Sequence, residues 1–419
     1  MTATQFTFIF IATLAFTTLA KLWLARRHLT HIAAHRAEVP AAFREKIQLG
    51  DHQKAADYTM AKTRLGILSA LFDAALLLAF TVGGGIQSIA DFSSAWFSAP
   101  LAQGMAVIVA VLLLSSLLEA PFNIFQTFVI EARFGFNKMT FALYLIDALK
   151  GLLIGALLGL PLLFSVLWLM ERMGSYWWLY VWLVWVTFSL LILFIYPSFI
   201  APLFNKFTPM QNEAMKARIE ALLERCGFTA QGLFVMDGSK RSAHGNAYFT
   251  GFGKTKRIVF FDTLLKHLSI NEIEAILAHE LGHFKRRHVI KRIALTFVLS
   301  LGFLWLLGLL MQTNWFYQGL GVTPSGQASH STALALLLFF MVLPVFSFLL
   351  SPIMSALSRK HEFEADAYAA QQTASTDLIS ALVKLYQDNA STLTPDPLYS
   401  TFYDSHPPAM VRIAHLQTQ

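Results

Sequence analysis

The chain has 419 residues, of which 56% are hydrophobic and only 14% are charged. Soluble domains carry about 25% charged residues, so this composition excludes a purely soluble protein and indicates an integral membrane protein with a water-exposed part. The formal net charge of +7 does not require nucleic acid as a partner, because membrane proteins keep Lys and Arg in their cytoplasmic loops. We expect membrane lipid around the chain and no nucleic-acid partner. The single cysteine, Cys226, excludes an intramolecular disulfide and a zinc site built from several cysteines.

Seven segments are long and apolar enough to cross a bilayer as helices, near residues 5–25, 65–85, 101–119, 149–171, 176–199, 292–312 and 333–352. Each crossing takes roughly 20 residues. Positive charges follow the first segment (Lys21, Arg26, Arg27) and do not precede it, which favours an uncleaved anchor over a signal peptide. We therefore expect a multi-pass membrane protein with an N-terminal membrane domain of five helices, residues 1–199, and a second domain, residues 200–419, that contains the last two spans.

The connecting segments alternate in charge. Those after the first, third and fifth spans carry many Lys and Arg residues, whereas residues 86–100 and 313–332 contain none. This pattern predicts an outside N-terminus and a cytoplasmic C-terminus, in the inner membrane if the source is bacterial. A histidine group follows the first span, His28, His31 and His35, and we interpret it as a solvated or headgroup-facing cluster.

The water-exposed segment 200–291 contains the pattern with the most chemistry, His279-Glu280-Leu281-Gly282-His283. Residues four apart on a helix share a face, so His279 and His283 can direct ring nitrogens at one zinc ion. Glu280 can take a proton from a metal-bound water that attacks a carbonyl. We expect a helix from Asn271 to Ala278 to carry the motif, with Asn271 as its N-cap. Upstream, a helix is predicted within Pro209 to Gly227, strands at Leu233 to Asp237 and at Arg257 to Phe261, and a further helix from Thr263.

A catalytic zinc takes three protein ligands, and the third is sought in Ser358 to Asp366. Glu362 and Asp366 are four residues apart and share a helix face, so Glu362 can bind zinc while Asp366 accepts the second N–H of a ligating histidine. The alternative is a solvated acidic helix, in which Glu364 serves equally well. His361 is a weaker ligand candidate. His288 lies nine residues after His279, which predicts the opposite helix face in an interfacial basic cluster.

Several further motifs resemble the integral-membrane zinc proteases called CAAX prenyl protease type 1. They run through nearly the whole chain: Pro121-Phe122, Thr127 to Glu131 and Gly135 to Asn137; Tyr196 to Pro209; Gly238 to Phe249; Lys256 to Val259 and Phe261 to Leu265; the HExxH motif; Ser358 to Asp366; and Ser405-His406-Pro407-Pro408 with Arg412. The resemblance implies a mainly α fold in which seven transmembrane helices enclose a chamber, joined to a zincin-like metalloprotease domain with a small β-sheet.

The resemblance also implies roles. His279, His283 and Glu362 would bind one Zn²⁺, Glu280 would be the general base, and Asp366 would support a ligand. Asn246 and His244 would contact the substrate, and His406 and Arg412 would stabilise the oxyanion or position the scissile peptide. The chain departs from the family at Ala243-His244-Gly245-Asn246, where eukaryotic members more often have Ser-His-Ser-Asn.

The implied function is zinc endopeptidase activity near the C-terminus of prenylated CaaX-type or other membrane-associated proteins, through a Glu-activated zinc-bound water. Two alternatives stay open from the sequence. One is a quality-control protease for membrane proteins with no prenyl requirement. The other is a seven-span transporter or channel with a structural metal, which intramembrane charges would favour; Asp73, Glu119 and Asp147 are the main acidic candidates.

Overall fold

The computed structural model describes residues 1–229, 232–250, 257–323 and 328–419, without the side chains of 328–331. The fold is mainly α-helical, as predicted. The helices are α1 Ala3–His35, α2 Leu49–Phe80, α3 Gly85–Trp96, α4 Pro100–Phe125, α5 Phe141–Arg172, α6 Trp177–Ile195, α7 Ala201–Phe204, α8 Glu213–Arg225, α9 Asp262–His267, α10 Ile270–Lys285, α11 His288–Leu310, α12 Asn314–Gly319, α13 Ala328–Ser347, α14 Ser351–Gln372, α15 Ser375–Asp388, α16 Pro397–Tyr403 and α17 Ala409–Leu416.

Within the described ranges, seven helical stretches are long and apolar enough to span a membrane, which confirms the predicted number. They are Ala3–His35, Leu49–Phe80, Pro100–Glu131, Phe141–Arg172, Gly174–Phe204, His288–Leu310 and Thr332–Gln372. Most are longer than predicted, because the helix continues beyond the apolar stretch on which the prediction was based. The second span ends earlier than predicted, since α2 ends at Phe80. Gly84 (φ 78°) is then the N-cap of α3.

A small sheet lies in the water-exposed part. Its strands are β1 Phe207–Pro209, β2 Gly232–Met236, β3 Ala247–Thr250 and β4 Arg257–Phe261, in the order β1-β2-β4-β3. β2 and β4 are parallel, and the two outer pairs are antiparallel. The predicted strands at Leu233 to Asp237 and Arg257 to Phe261 are therefore correct to within one residue. β3 is an edge strand.

Two apolar cores close the molecule at opposite ends. One joins α8, the sheet, α10, α14, α15 and α17 into the water-exposed domain. The other takes side chains from all seven spans, including Phe10, Phe80, Leu167, Trp177 and Leu307. In each span these residues lie toward the end that is farther from the water-exposed domain. The spans therefore converge at that end.

Between the two cores the membrane helices pack loosely. Only 6% of the most apolar stretch of Gly174–Phe204, and 11% of those of Leu49–Phe80 and Phe141–Arg172, is buried inside the protein. A helix in a solid bundle would bury an apolar stripe on its inner face. These spans instead pack little against the rest of the protein, which agrees with the predicted chamber.

Candidate active site

Helix α10 carries the HExxH motif and begins with a reciprocal cap. The Ser269 side chain accepts the Glu272 backbone N–H at 3.3 Å, and the Glu272 carboxylate accepts the Ser269 N–H at 2.7 Å. This capping box satisfies two of the free N–H groups at the start of the helix. The predicted cap at Asn271 is therefore wrong by two residues, because Ser269 offers the partner three residues later that a capping box requires.

Two buried glutamates hold α10 in place. Glu272 accepts hydrogen bonds from Lys384 at 2.8 Å and Ser380 at 2.7 Å, which ties α10 to α15. Glu274 is only 3% exposed and pairs with two arginines of α8, Arg218 and Arg225. Buried carboxylates are tolerated only when paired in this way. The helix is therefore fixed from both sides before any metal binds.

Gly282 lets α14 approach α10 closely. A Cβ atom built on Gly282 would lie 2.9 Å from the Ala365 Cα and 3.0 Å from its carbonyl oxygen. Only a residue without a Cβ allows two helix backbones this close. The contact brings the next turn of α14, with Glu362 and Asp366, directly against the two histidines of the motif.

His279, His283 and Glu362 form the group that could hold a metal ion. The two histidine Nε2 atoms are 3.2 Å apart, and the Glu362 carboxylate oxygens lie 3.5 Å from His279 Nε2 and 3.3 Å from His283 Nε2. A tetrahedral zinc with bonds of about 2.0–2.1 Å places its ligand atoms about 3.3–3.4 Å apart. The distance between the two ring nitrogens is close to this value, and so are the distances to the Glu362 carboxylate, whose Oε2 faces His279 and whose Oε1 faces His283. Glu364 lies outside this group.

Two further observations fit a cation at this point. Glu362 Oε2 is buried and accepts no hydrogen bond from any residue that the structure describes, so a ligand is needed to offset its desolvation. Burial alone would lower the pKa of the His279 ring, but the neighbouring carboxylates of Asp366 and Glu362 raise that pKa to about 9. The surrounding carboxylates thus strongly favour positive charge between the ligand atoms.

Asp366 orients His279 from behind. Its Oδ1 lies 2.7 Å from His279 Nδ1, which donates the ring N–H and leaves Nε2 for the metal. The same carboxylate accepts Arg412 Nε at 2.8 Å and Nη2 at 2.6 Å. Asp366 and Arg412 are 0% and 5% exposed, so this is a buried, bidentate ion pair. With Nε and Nη2 committed to Asp366, the remaining Arg412 Nη1 lies 3.6 Å from Glu362 Oε2.

Glu280 and His406 face a cavity of about 870 Å³ beside the metal group. Burial raises the pKa of the Glu280 carboxyl, which suits a group that must accept a proton. The His406 ring is 62% exposed to this space, with Nε2 3.5 Å from Glu362 Oε1. Its enclosure in the cavity lowers its pKa, Glu362 opposes this shift, and Arg412 adds to it. The ring is therefore neutral near pH 7 and can donate one N–H.

Asn246 and His244 have different surroundings. Asn246 is exposed and lines the cavity, and its Oδ1 accepts the Ala247 N–H at 2.8 Å. His244 bonds to protein groups on both sides: Nδ1 lies 3.0 Å from Asn389 Oδ1, and Nε2 lies 3.5 Å from Glu131 Oε2. Its ring stacks on Phe136. These contacts anchor the strand that follows, and the substrate contact expected for His244 stays a prediction.

The histidine beyond the motif, His288, does not lie on the opposite helix face as predicted. Arg287 adopts φ 57° and ends α10, so α11 begins at His288 in a new direction. His288 is buried, with Nδ1 3.0 Å from His283 Nδ1 and Nε2 2.9 Å from Glu364. The prediction failed because a left-handed conformation at a non-glycine residue has no clear sequence signal.

The cavity is polar on its membrane side. Its wall includes Lys21 of α1 and Lys62, Thr63 and Asp73 of α2, opposite the motif helix. His28 also contributes, and here a second prediction is wrong: this residue is 3% exposed and stacks on Tyr399 at 3.9 Å. It is a packing contact between α1 and α16, and no headgroup-facing cluster includes it.

A metal-ligand group at the wall of a chamber formed by membrane helices defines the class of the protein, an integral-membrane metallopeptidase. Residues 28–206 match the family described as CAAX prenyl protease N-terminal, five membrane helices, and residues 209–419 match peptidase family M48. The chain therefore belongs to the CAAX prenyl protease type 1 family of M48 peptidases.

Individual relatives agree. CAAX prenyl protease 1 of Saccharomyces cerevisiae is 32% identical, covering 90% of this chain and 88% of the relative. The CAAX prenyl protease 1 homolog of Homo sapiens is 31% identical, covering 98% and 95%. The crystal structure of S. mikatae Ste24p superimposes with a TM-score of 0.92 at 31% identity and covers 98% of this chain and 99% of that one. These likenesses favour a hydrolase over a transporter or channel.

Proposed function

We propose that this protein is a zinc endopeptidase that cuts near the C-terminus of prenylated CaaX-type or other membrane-associated proteins. The observation that carries the proposal is the convergence of His279 Nε2, His283 Nε2 and the Glu362 carboxylate on one point at the wall of the chamber, with ligand atoms within 4.8 Å of one another. The substrate class rests on the names of the relatives, which are called CAAX prenyl proteases. The active site would face the cytoplasm, because the Lys- and Arg-rich segments lie on its side of the membrane.

The residues present fit zinc and its chemistry. Two imidazoles and one carboxylate are the ligand set of many catalytic zinc sites, in which the ion polarises the scissile carbonyl and lowers the pKa of water to about 7. Glu280 accepts the proton of the attacking water at its carboxylate and delivers it to the nitrogen of the leaving amine. Burial raises the pKa of Glu280, which makes its carboxylate a better proton acceptor.

The family pattern implies that His406 and Arg412 stabilise the oxyanion or position the scissile peptide. Their surroundings favour a different part of this task for each. His406 is open to the chamber and neutral, so its N–H can donate to the oxyanion as the carbonyl carbon becomes tetrahedral. Arg412 uses two of its nitrogens on Asp366, so it chiefly holds the partner of His279.

An extended peptide would bind beside β3. In the described part of the sheet this strand pairs only with β4, so its other edge offers N–H and C=O groups to an added strand. Asn246 precedes the strand at the cavity wall, and its amide N–H groups can hold the peptide backbone next to the metal.

The direct test is Glu280→Gln in the detergent-purified full chain. We expect about one zinc per chain in both proteins, and a loss of turnover of about 10²–10⁴-fold, since a positioned general base contributes that much. Glu220→Gln removes an exposed carboxylate of α8 and serves as the control with unchanged activity. Retained cleavage in Glu280→Gln would refute the mechanism, and a wild type without zinc would refute the ligand assignment.

The substrate class is tested in the same assay with a farnesylated CaaX peptide and its unfarnesylated twin. Preference for the farnesylated peptide supports the prenyl-protein role. Equal cleavage of both peptides favours a quality-control protease with no prenyl requirement.

A further inference from the structure

A chain of hydrogen bonds runs away from the metal group through His283. Its Nδ1 lies 3.0 Å from His288 Nδ1, and His288 Nε2 lies 2.9 Å from Glu364 Oε2. The three residues belong to three different helices, α10, α11 and α14. None of these contacts was expected from the sequence, which predicted the opposite helix face for His288 and gave Glu364 no partner.

Because Glu364 is a carboxylate, the donor and the acceptor of each hydrogen bond in this series can be assigned. An ionised carboxylate can only accept, so His288 Nε2–H must donate to Glu364. A neutral imidazole has one donor and one acceptor nitrogen, so His288 Nδ1 accepts. The proton between the two rings therefore sits on His283 Nδ1. Nε2 of His283 is left with its lone pair, and this is the nitrogen that faces His279 and Glu362.

The backbone builds this arrangement at a measurable conformational cost. Arg287 takes a left-handed conformation, φ 57°, which is unfavourable for a residue with a Cβ atom. The turn brings His288 beneath His283, where His288 is 2% exposed and stacks on His361 with ring centroids 4.0 Å apart. A strained turn that places a buried ring on a ligand is easier to explain by function than by packing.

We propose that His288 and Glu364 are positioning residues that hold His283 in the tautomer and ring orientation required for zinc. The inference rests on the proposed zinc site and deepens it. Each histidine ligand is then oriented by a carboxylate. Asp366 accepts the N–H of His279 Nδ1 directly, whereas His283 Nδ1 donates to His288, which in turn donates to Glu364. This relay, from His283 through His288 to Glu364, approaches His283 from the side of the basic turn at residues 285–287.

The test measures zinc affinity of the purified full chain by competition with a chelator. We expect His288→Leu and Glu364→Leu to weaken zinc binding about 10–100-fold, the usual cost of losing a partner of a ligating histidine. Glu364→Gln keeps an oxygen that accepts the His288 N–H, so its affinity should stay close to wild type. The matched control is Lys360→Gln, which removes the exposed partner 4.0 Å from Glu364 but leaves the relay intact.

Two readouts separate this role from a merely structural one. The melting temperature of the zinc-free protein should be nearly unchanged in Glu364→Leu, because Glu364 is partly exposed, while its zinc affinity falls. If only the negative charge of Glu364 mattered, Glu364→Gln would lose as much zinc affinity as Glu364→Leu. A Glu364→Leu protein with zinc affinity within about twofold of wild type would overturn the proposal. His283→Ala, which must lose zinc if the proposed site is correct, shows whether the relay or the site itself has failed.

Discussion

At the scale of single residues, Asp366 links the metal group to the C-terminal segment. It is fully buried and accepts from His279 and, bidentately, from Arg412. A buried carboxylate that loses its cation becomes an uncompensated charge. We expect Arg412→Ala to cost about 3–5 kcal/mol of stability, the range for breaking a buried pair. The measurement is the unfolding transition of the zinc-loaded protein in detergent.

The double variant Asp366→Asn with Arg412→Ala distinguishes this explanation from simple loss of packing. It removes both charges, while the Asn oxygen still accepts the His279 N–H. We expect the double variant to be more stable than Arg412→Ala alone, because no buried charge is left unpaired. A double variant that is as unstable as the sum of the two single variants would contradict the pairing argument.

At the scale of elements, the site depends on how closely α14 can approach α10. Gly282→Ala would place a methyl group 2.9 Å from the Ala365 Cα, which is backbone and cannot rotate away. The helices must then separate, and Glu362 must move from the two histidines. We expect the zinc content to fall well below one per chain and the melting temperature to decrease, as measured by metal analysis and thermal unfolding.

Gly302 in α11 provides the matched control, since a Cβ there meets no atom within 4 Å. Alanine is the better helix former by about 1 kcal/mol, so Gly302→Ala should be neutral or stabilising and keep its zinc. Normal zinc content in Gly282→Ala would show that the close approach is not what sets the ligand spacing.

The elements also show what could be predicted from the sequence. The seven spans follow from apolar length, and the HExxH spacing with Glu362 and Asp366 follows from helix periodicity, since four residues make about one turn. The relay through His288 and Glu364 could not be predicted, because it depends on one strained backbone angle at Arg287 and on the packing of three helices. The burial of His28 against Tyr399 was missed for the same reason: a partner about 370 residues away leaves no local pattern.

At the scale of the whole molecule, the catalytic group lies between two apolar cores. The spans converge on a common apolar core at one end, and the water-exposed domain closes the other. Between them, Lys21 of α1 and Lys62 and Asp73 of α2 line the cavity. These side chains can form hydrogen bonds with the backbone groups of a bound peptide.

This enclosure limits the substrate to an extended segment. The cavity beside the metal group measures about 870 Å³, whereas a folded domain of 100 residues has a radius of gyration of about 13 Å and is many times larger. We expect a cleavable CaaX tail fused to a stable domain to be cut when a long flexible linker joins them. Shortening the linker until the domain meets the chamber wall should abolish cleavage, as followed by gel analysis of product. The matched substrate has the same short linker and a destabilising core substitution in the fused domain, and its cleavage should recover because the unfolded chain can enter. Equal cleavage of the short-linker fusion whether its domain is folded or unfolded would show that the catalytic group is reached from open solvent, and that the chamber does not select by size.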